Sequence, residues 1–189
     1  VLTAGAPKRV GFVSTRFHGT DGVTLEAKKW AHLLRDLGHE SFWMAGLLDT
    51  APAVSHHAPL AYFNHPQVAL LQSQLFGVAT RSRSVTDEIQ GIKNALKDEL
   101  YRFIEKFQLQ VLIPQNILAI PMHVPLGLAM TEVIAETGLP TIAHHHDFAW
   151  ERERFVVSAV NDYLRAAFPG ALPGVEHVVI NSMAQKEMA

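Results

Sequence analysis

The sequence contains no cysteine among its 189 residues, which excludes disulfide bonds and thiolate metal sites and fits a reducing compartment. It also lacks a charge excess of either sign, since 16 basic and 18 acidic side chains leave a net charge of −2. That balance gives no general attraction to nucleic acid or to an anionic membrane. No apolar run approaches the roughly 18 residues that a membrane-spanning helix requires. We therefore expect a cytoplasmic protein without a nucleic-acid partner or a transmembrane segment.

Two common nucleotide-binding motifs are missing as well. The P-loop pattern G-x-x-x-x-G-K-[ST] does not occur, which excludes a P-loop NTPase. The first glycine turn reads Gly19-Thr-Asp-Gly22 rather than G-x-G-x-x-G, and the next predicted strand ends without an acidic residue to hold a ribose. Residues 1–8 have too little apolar length for a signal peptide. With 48% hydrophobic residues, the chain can still bury the core of one domain.

One stretch, residues 9–38, predicts a buried strand, a polar glycine-containing turn and a helix. Val10, Phe12 and Val13 form a short apolar run, and the turn follows at 14–22. Apolar residues then recur at steps of three and four, on one helix face: Val23, Ala27, Trp30, Leu34 and Leu37. We expect Asp21 to cap this helix and Gly38 to end it. Backbone N–H groups at such a helix start can bind phosphate or another anion, so the turn is a candidate ligand site.

Strands and helices alternate along the rest of the chain. Further strands are predicted at 40–45, 111–114, 140–144 and 178–180, with 59–63 as one more candidate. Helices are predicted at 66–76, 85–107, 125–138 and 148–168. This alternation predicts an α/β fold: a single doubly wound, Rossmann-like parallel sheet with helices on both faces.

Ligands of such sheets bind outside the carboxyl ends of the strands, near the point where strand order reverses. That rule selects four loops, at 15–22, 46–50, 115–123 and 144–150. We expect the first and last of them to meet at one rim of the sheet. In the third loop, the amides of Gln115 and Asn116 either bind hydroxyl groups or form a turn.

Three consecutive histidines and an aspartate, residues 144–147, close the fifth predicted strand. Because side chains alternate along a strand, His144 and His146 share one side and His145 faces away. His144, His146 and Asp147 could bind a metal, or the histidines could simply be hydrogen-bonded at the strand end. We favour one or two histidines as donors to hydroxyl or phosphate oxygens of a ligand. Asp147 could instead cap a helix that begins at Phe148.

Other aromatic, histidine and charged residues are assigned to the core or the surface. Trp30 and Trp43 belong to core patterns, whereas Trp150 could line the mouth of the crevice. We expect surface positions for His56, His57 and His65. We expect exposed ion pairs to join Arg152 and Arg154 to Glu151 and Glu153.

Three motifs resemble the N-terminal domain of GT-B fold glycosyltransferases, and most closely the retaining, family 4 type. The first combines Asp21-Gly-Val-Thr-Leu-Glu26 with Lys29-Trp-Ala-His-Leu-Leu-Arg-Asp-Leu-Gly-His-Glu40. The second is Gly138-Leu-Pro-Thr-Ile-Ala-His-His-His-Asp147, and the third is His177-Val-Val-Ile-Asn-Ser182. Together they span nearly the whole chain.

The resemblance implies two Rossmann-like domains that face each other across a cleft. Residues 1–189 would form the acceptor-side domain, and a C-terminal domain absent from this chain would bind the donor. A sugar would pass from a nucleotide-sugar donor to a sugar-like or phosphorylated acceptor, with retention and without a metal or another cofactor. We expect residues 1–189 alone to be inactive.

The resemblance also assigns roles to residues of the two predicted loops. The glycine turn would approach the donor phosphates or the acceptor. His146 is the best match to the family histidine that contacts the transferred sugar and is the candidate catalytic residue, with His144 as the alternative. The candidate substrate-binding residues are Gly19, Asp21, Gly22, Asn116, His144 and Asp147.

Two other functions are compatible with the same pattern. One is a sugar- or phosphate-binding domain without catalysis, which would use the same glycine turn. The other is half of a GT-B fold nucleotide-sugar epimerase, which would need a carboxylate in the cleft. Asp147 is the strongest candidate for that carboxylate.

Overall fold

Six parallel strands form one sheet in the computed structural model, which describes residues 6–188. They are β1 Arg9–Val13, β2 Glu40–Ala45, β3 Ser55–His57, β4 Val111–Pro114, β5 Thr141–His145 and β6 Val175–Val179. Their order is β3-β2-β1-β4-β5-β6, so strand order reverses between β1 and β4, as in a doubly wound sheet. Residues 1–5, which hold most of the segment assessed for a signal peptide, lie outside the described residues, as does Ala189.

Helices cover both faces of this sheet. They are α1 Gly22–Asp36, α2 Pro66–Gln72, α3 Arg83–Phe107, α4 Val124–Thr137, α5 Asn161–Ala167 and α6 Ser182–Met188. One core forms under α1 around Phe12 and Trp43, and the other packs α3 and α4 against Val13 and Leu112. The predicted single-domain, Rossmann-like α/β fold is therefore confirmed. No helix within residues 6–188 combines the length and hydropathy needed to cross a membrane.

The ends of α1 follow the predicted capping chemistry. Asp21 accepts a hydrogen bond from the backbone N–H of Thr24 at 3.3 Å and another from its hydroxyl at 2.6 Å. Gly38 adopts φ 86° just after the helix, a backbone conformation that glycine adopts without steric cost. Leu37 caps the C-terminus but is 40% exposed, so it does not belong to the buried face.

The third strand is not at 59–63 but at Ser55–His57, where it pairs with the second half of β2. Residues Pro59–Ala61 form a 3-10 turn instead, since Pro59 has no N–H to donate to a ladder. His57 is exposed as predicted. His56 is not, because it is half-buried, with Nε2 at 2.6 Å from a carboxylate oxygen of Glu99. His65 is also half-buried.

The long helix predicted at 148–168 is wrong in its first half. Ala149–Glu151 and Glu153–Phe155 form two 3-10 turns, and a helix begins only at Asn161. Between them the backbone pairs with a distant loop, because the N–H of Ala159 donates to Leu75 and the N–H of Gly77 donates to Val157. Tertiary hydrogen bonds replace the helical ones in this segment.

Candidate functional site

A cavity of about 180 Å³ opens at the carboxyl edge of the sheet, beside the reversal between β1 and β4. We call it the main cavity. Its wall comes from three of the four predicted loops, including Arg16 and Asp21 from the loop at 15–22, Gln115 and Asn116 from the loop at 115–123, and Asp147 from the loop at 144–150. The loops at 15–22 and 144–150 therefore do meet at one rim. The predicted loop at 46–50 does not line this cavity.

Of the three glycine-turn residues predicted to bind substrate, only Asp21 lines the main cavity. Gly19 has φ 74°, and its N–H donates to a carboxylate oxygen of Asp49 at 2.8 Å. Gly22 begins α1. That hydrogen bond from Gly19, followed by the one from Lys28, lowers the pKa of Asp49 below its ordinary value. The glycine turn is thus fastened to the loop at 46–50.

The histidines at the end of β5 alternate as predicted. Nδ1 of His144 lies 3.0 Å from Oε1 of Gln115, and Nε2 of His146 lies 3.2 Å from the same oxygen. The His144 ring also stacks on Trp30, with 4.5 Å between ring centroids. His145 points the other way, with Nε2 at 2.8 Å from Nδ1 of His177. Trp30 therefore contacts a candidate site histidine as well as the core.

The histidine pair is uncharged at neutral pH. Burial, with a smaller contribution from His146, lowers the pKa of His144 to about 4. Burial also lowers the pKa of His146. With Oε1 of Gln115 as the shared acceptor, His144 carries its proton on Nδ1 and His146 carries its proton on Nε2. Neither histidine lines the main cavity, whereas Gln115, which contacts both of them, does.

Gln115 was predicted only as a possible hydroxyl-binding or turn residue, yet it joins the histidines to the main cavity. Its side chain is 1% exposed, and its Nε2 group has no hydrogen-bond partner among residues 6–188. A buried amide donor without a partner is unfavourable by about 1–3 kcal/mol. The Nε2 group is therefore a buried donor whose missing hydrogen bond an oxygen of a ligand would supply.

Asn116 shapes the rim as well as lining the cavity. It adopts φ 61°, a conformation that asparagine tolerates better than most residues. Its Oδ1 accepts the backbone N–H groups of His146 at 3.0 Å and of Asp147 at 3.2 Å. The turn alternative for Asn116 is thus observed, and the turn fixes the backbone that carries the candidate catalytic residue.

Asp147 lines the main cavity but does not cap a helix. The N–H of Phe148 is instead accepted by Glu151 at 2.7 Å. Arg152 donates to Asp147 at 2.8 Å, so the predicted pairing of Arg152 with its neighbouring glutamates is wrong. Arg154 forms no ion pair with any residue in the described part of the chain, and its guanidinium lies over the ring of Phe155.

Two further sequence alternatives concern a metal site and Trp150. Within residues 6–188, no group of three or more His, Cys, Asp or Glu side chains is placed to hold a metal ion. His144 and His146 face Gln115, and Asp147 faces Arg152, so these three do not form a ligand set. Trp150 is 49% exposed and donates to Glu187 at 2.9 Å, away from the main cavity.

Sequence reasoning missed Arg16 and His123 in the cavity wall. Nε of Arg16 lies 3.5 Å from a carboxylate oxygen of Asp21, and its place in an anion-binding loop was a usable signal. His123 gave no such signal, because its role depends on long-range packing. Its Nδ1 accepts the N–H of Leu126 at 3.2 Å, and its Nε2 donates to the carbonyl of Leu60 at 2.7 Å.

Two curated proteins align with nearly the whole chain. Over 189 residues it is 31% identical to the mannosylglucosylglycerate synthase of Petrotoga mobilis, and over 172 residues it is 30% identical to the mannosylglucosylglycerate synthase of Thermotoga maritima. The chain is similar to glycosyltransferases. The alignments cover 95% and 89% of the chain but 41% and 39% of the relatives, so the chain spans about two fifths of their length. No protein-family model and no solved structure gives a significant match.

Proposed function

We propose that the protein carrying this chain is a retaining, GT-B fold glycosyltransferase, and that this chain forms its acceptor-side domain. The similarity to two glycosyltransferases supports the reaction class. The strand order and the rim position of the main cavity support a ligand site in this half. The remaining length of the relatives would accommodate the C-terminal domain that binds the nucleotide sugar.

The observation that carries the proposal is the Nε2 group of Gln115, which has no partner among residues 6–188 and belongs to a residue in the wall of the main cavity. A hydroxyl oxygen of an acceptor would accept from this buried donor. Asp21, Asn116 and Asp147 line the same cavity, and their oxygens would accept hydrogen bonds from the other hydroxyls. A polyhydroxylated ligand matches this mixture of donors and acceptors.

His146 is the proposed catalytic residue, and it would contact the transferred sugar from the α1 side of the sheet. It is half-buried at the rim, beside α1 rather than inside the main cavity. As a neutral imidazole, it can hydrogen-bond to a sugar without repelling the positive charge that develops at the anomeric carbon. Gln115 and His144 would hold its ring in place.

The reaction would replace one bond to the anomeric carbon with another. The acceptor oxygen bonds to that carbon as the bond to the diphosphate oxygen breaks, and the hydroxyl proton passes to the departing diphosphate. The turn that holds Gly19 and Gly22 precedes the N-terminus of α1, whose dipole would stabilise the diphosphate charge. We propose no metal and no other cofactor for this step.

The names of the two relatives indicate the substrates to try first. A mannosylglucosylglycerate contains a mannosyl group, a glucosyl group and glycerate. We therefore propose a nucleotide-activated mannose as donor and glucosylglycerate as acceptor. A cytoplasmic location belongs to the proposal, because zero cysteines suit a reducing compartment.

The test is a transfer assay with the full-length protein, nucleotide-activated mannose and glucosylglycerate, followed by NMR of the product. We expect the anomeric configuration of the donor to be retained. Replacing His146 with alanine should lower kcat by about 10-fold or more. The matched control is His32→Ala on the exposed side of α1, which should leave kcat unchanged.

Several outcomes would count against the proposal. An inverted product, or an H146A enzyme with unchanged kcat, would contradict the mechanism. Transfer at ordinary rates by residues 1–189 alone would contradict the division into two domains. Tight binding of a nucleotide sugar by this chain, with no transfer by the full-length protein, would favour a binding domain instead.

A further inference from the structure

A second cavity of about 570 Å³ lies beside the main cavity, and we call it the side cavity. Phe63 and Met122 line both, so the two adjoin at these side chains. An acceptor that extends from the main cavity past Met122 would enter the side cavity.

Aromatic rings form much of the wall of the side cavity. Phe76 and Phe155 meet edge to face, with 4.8 Å between ring centroids. Phe63 closes the side shared with the main cavity. Such rings suit the C–H surface of a short aliphatic or sugar-like group, because that surface packs well against aromatic faces. The wall alone gives little specificity.

Specificity comes from one cation in this wall. Arg154 is the one charged residue, among those the structure describes, that lines the side cavity. Arg154 is exposed, and its guanidinium lies 4.5 Å from the centre of the Phe155 ring in a cation–π contact. It has no ion-pair or hydrogen-bond partner within residues 6–188. A guanidinium held in this way presents a free fork of N–H donors to a carboxylate.

An unused acceptor lies in the same wall. Gln72 donates from Nε2 to the carbonyl of Pro121 at 2.8 Å, which determines which way its amide faces. Its Oε1 is then buried without a partner in the described part of the chain. Gln72 lines the side cavity, so a ligand hydroxyl that reached this buried oxygen would supply the donor that it lacks. The side cavity therefore combines a donor for an anion with an acceptor for a hydroxyl.

We propose that the side cavity binds a hydroxy-acid aglycone of the acceptor, with its carboxylate on Arg154 and a hydroxyl on Oε1 of Gln72. This inference rests on the proposed function, since it takes the main cavity to hold the acceptor's sugar. It makes Arg154 and Gln72 specificity-determining residues for the acid end of the acceptor.

A monoanion suits this site better than a phosphate ester. Arg154 also borders a third cavity, which Glu151 and Glu153 line, and their charges would repel a dianion more than a monoanion. Arg16, the cation of the main cavity, is already shared with Asp21. Arg154 is therefore the better partner for the acid group.

The experiment compares glucosylglycerate with its amide, in which –CONH2 replaces the carboxylate, on the full-length protein. Calorimetry gives Kd for each ligand, and initial rates give KM and kcat. The wild type should bind the acid about 10-fold more tightly than the amide. Arg154→Gln should remove that difference by raising Kd and KM for the acid alone, with kcat little changed. The matched control is Arg83→Gln, at an exposed position in the first turn of α3.

Each outcome bears on a separate claim. An R154Q protein that still prefers the acid, or loss of that preference in Arg16→Gln instead, would overturn the inference. So would tighter, Arg154-dependent binding of the phosphorylated glycoside. If no sugar is transferred to any acceptor while calorimetry still gives an Arg154-dependent preference for the acid, the proposed function fails and the side-cavity assignment stands.

Discussion

Gln115 is the residue on which the candidate site is built. It follows β4, forms a parallel bridge with His144, and brings the main cavity and the histidine pair together. One amide oxygen serves both histidines, so each must present an N–H to it. A single uncharged side chain thus sets the proton positions of two neighbouring rings.

The first prediction concerns these proton positions. Long-range proton–nitrogen NMR of the chain at pH 7 should find His144 protonated on Nδ1 and His146 on Nε2, both neutral. In Gln115→Glu, the added carboxylate should raise the pKa of both histidines. The opposite tautomers in the wild type would contradict the assigned orientation of Gln115.

A second prediction at this scale concerns acid stability. Burial lowers the pKa of His123 from 6.5 to about 4. Protonation would also destroy its Nδ1 acceptor for the N–H of Leu126. Between pH 6.5 and about 4, the unfolded chain therefore binds more protons at His123 than the folded chain does. The contribution of neutral His123 to the free energy of unfolding is complete above pH 6.5 and declines as the pH falls towards 4. His144 and His145 contribute with the same sign, since burial lowers the pKa of His145 to about 3.

Urea unfolding at pH 7 and pH 5 measures this decline. His123 alone should supply up to about 3 kcal/mol over its whole window. His123→Asn retains a capping acceptor for α4 and should have lower stability at pH 7 but a smaller loss on acidification. His32→Asn on exposed α1 serves as control. An unchanged pH dependence in H123N would show that His123 is not the titrating group.

Among the helices and strands, the sequence best predicted those whose hydrophobic pattern depends only on their own residues. The apolar period of α3 and the alternation of β5 are properties of their own residues, and both were correct. β3 could not be read in this way, because a strand of three residues is defined by its pairing with β2. The segment at 148–160 read as helical, yet Ala159 pairs with Leu75 across the structure. Long-range hydrogen bonds of this kind leave no periodic signal.

Two glycines give a matched test of element packing. A Cβ on Gly46, which follows β2, would lie 2.0 Å from the backbone nitrogen of Tyr62, whereas a Cβ on Gly91, exposed in α3, would meet nothing within 4 Å. Gly46→Ala should therefore destabilise the fold by about 3 kcal/mol or more. Gly91→Ala should stabilise it by about 0.5–1 kcal/mol, because alanine favours helix. Equal effects in thermal or urea unfolding would contradict the packing.

The whole molecule brings distant stretches of sequence to one rim. Parallel pairing of β1, β4 and β5 places their carboxyl ends side by side, so the convergence of the first and last predicted loops followed from topology alone. The side chains that line the resulting cavity could not be predicted in this way. Gln115 still pairs with His144, whereas Asn116 adopts a positive φ and changes the direction of the chain. The surroundings of Arg154 could not be predicted either, since Phe63 and Phe76 in the wall of the side cavity come from two other segments.

The central claim is that the main cavity binds the acceptor of a glycosyltransferase. Titration of isotope-labelled protein with glucosylglycerate, followed by NMR, tests it most directly. The side-chain amide of Gln115 and the backbone signals of Arg16 and Asp147 should shift together and saturate with one Kd. Signals of the opposite rim, such as those of Glu40 and Gln110, should stay in place. Unmoved signals around Gln115, or shifts confined to another surface, would contradict the account.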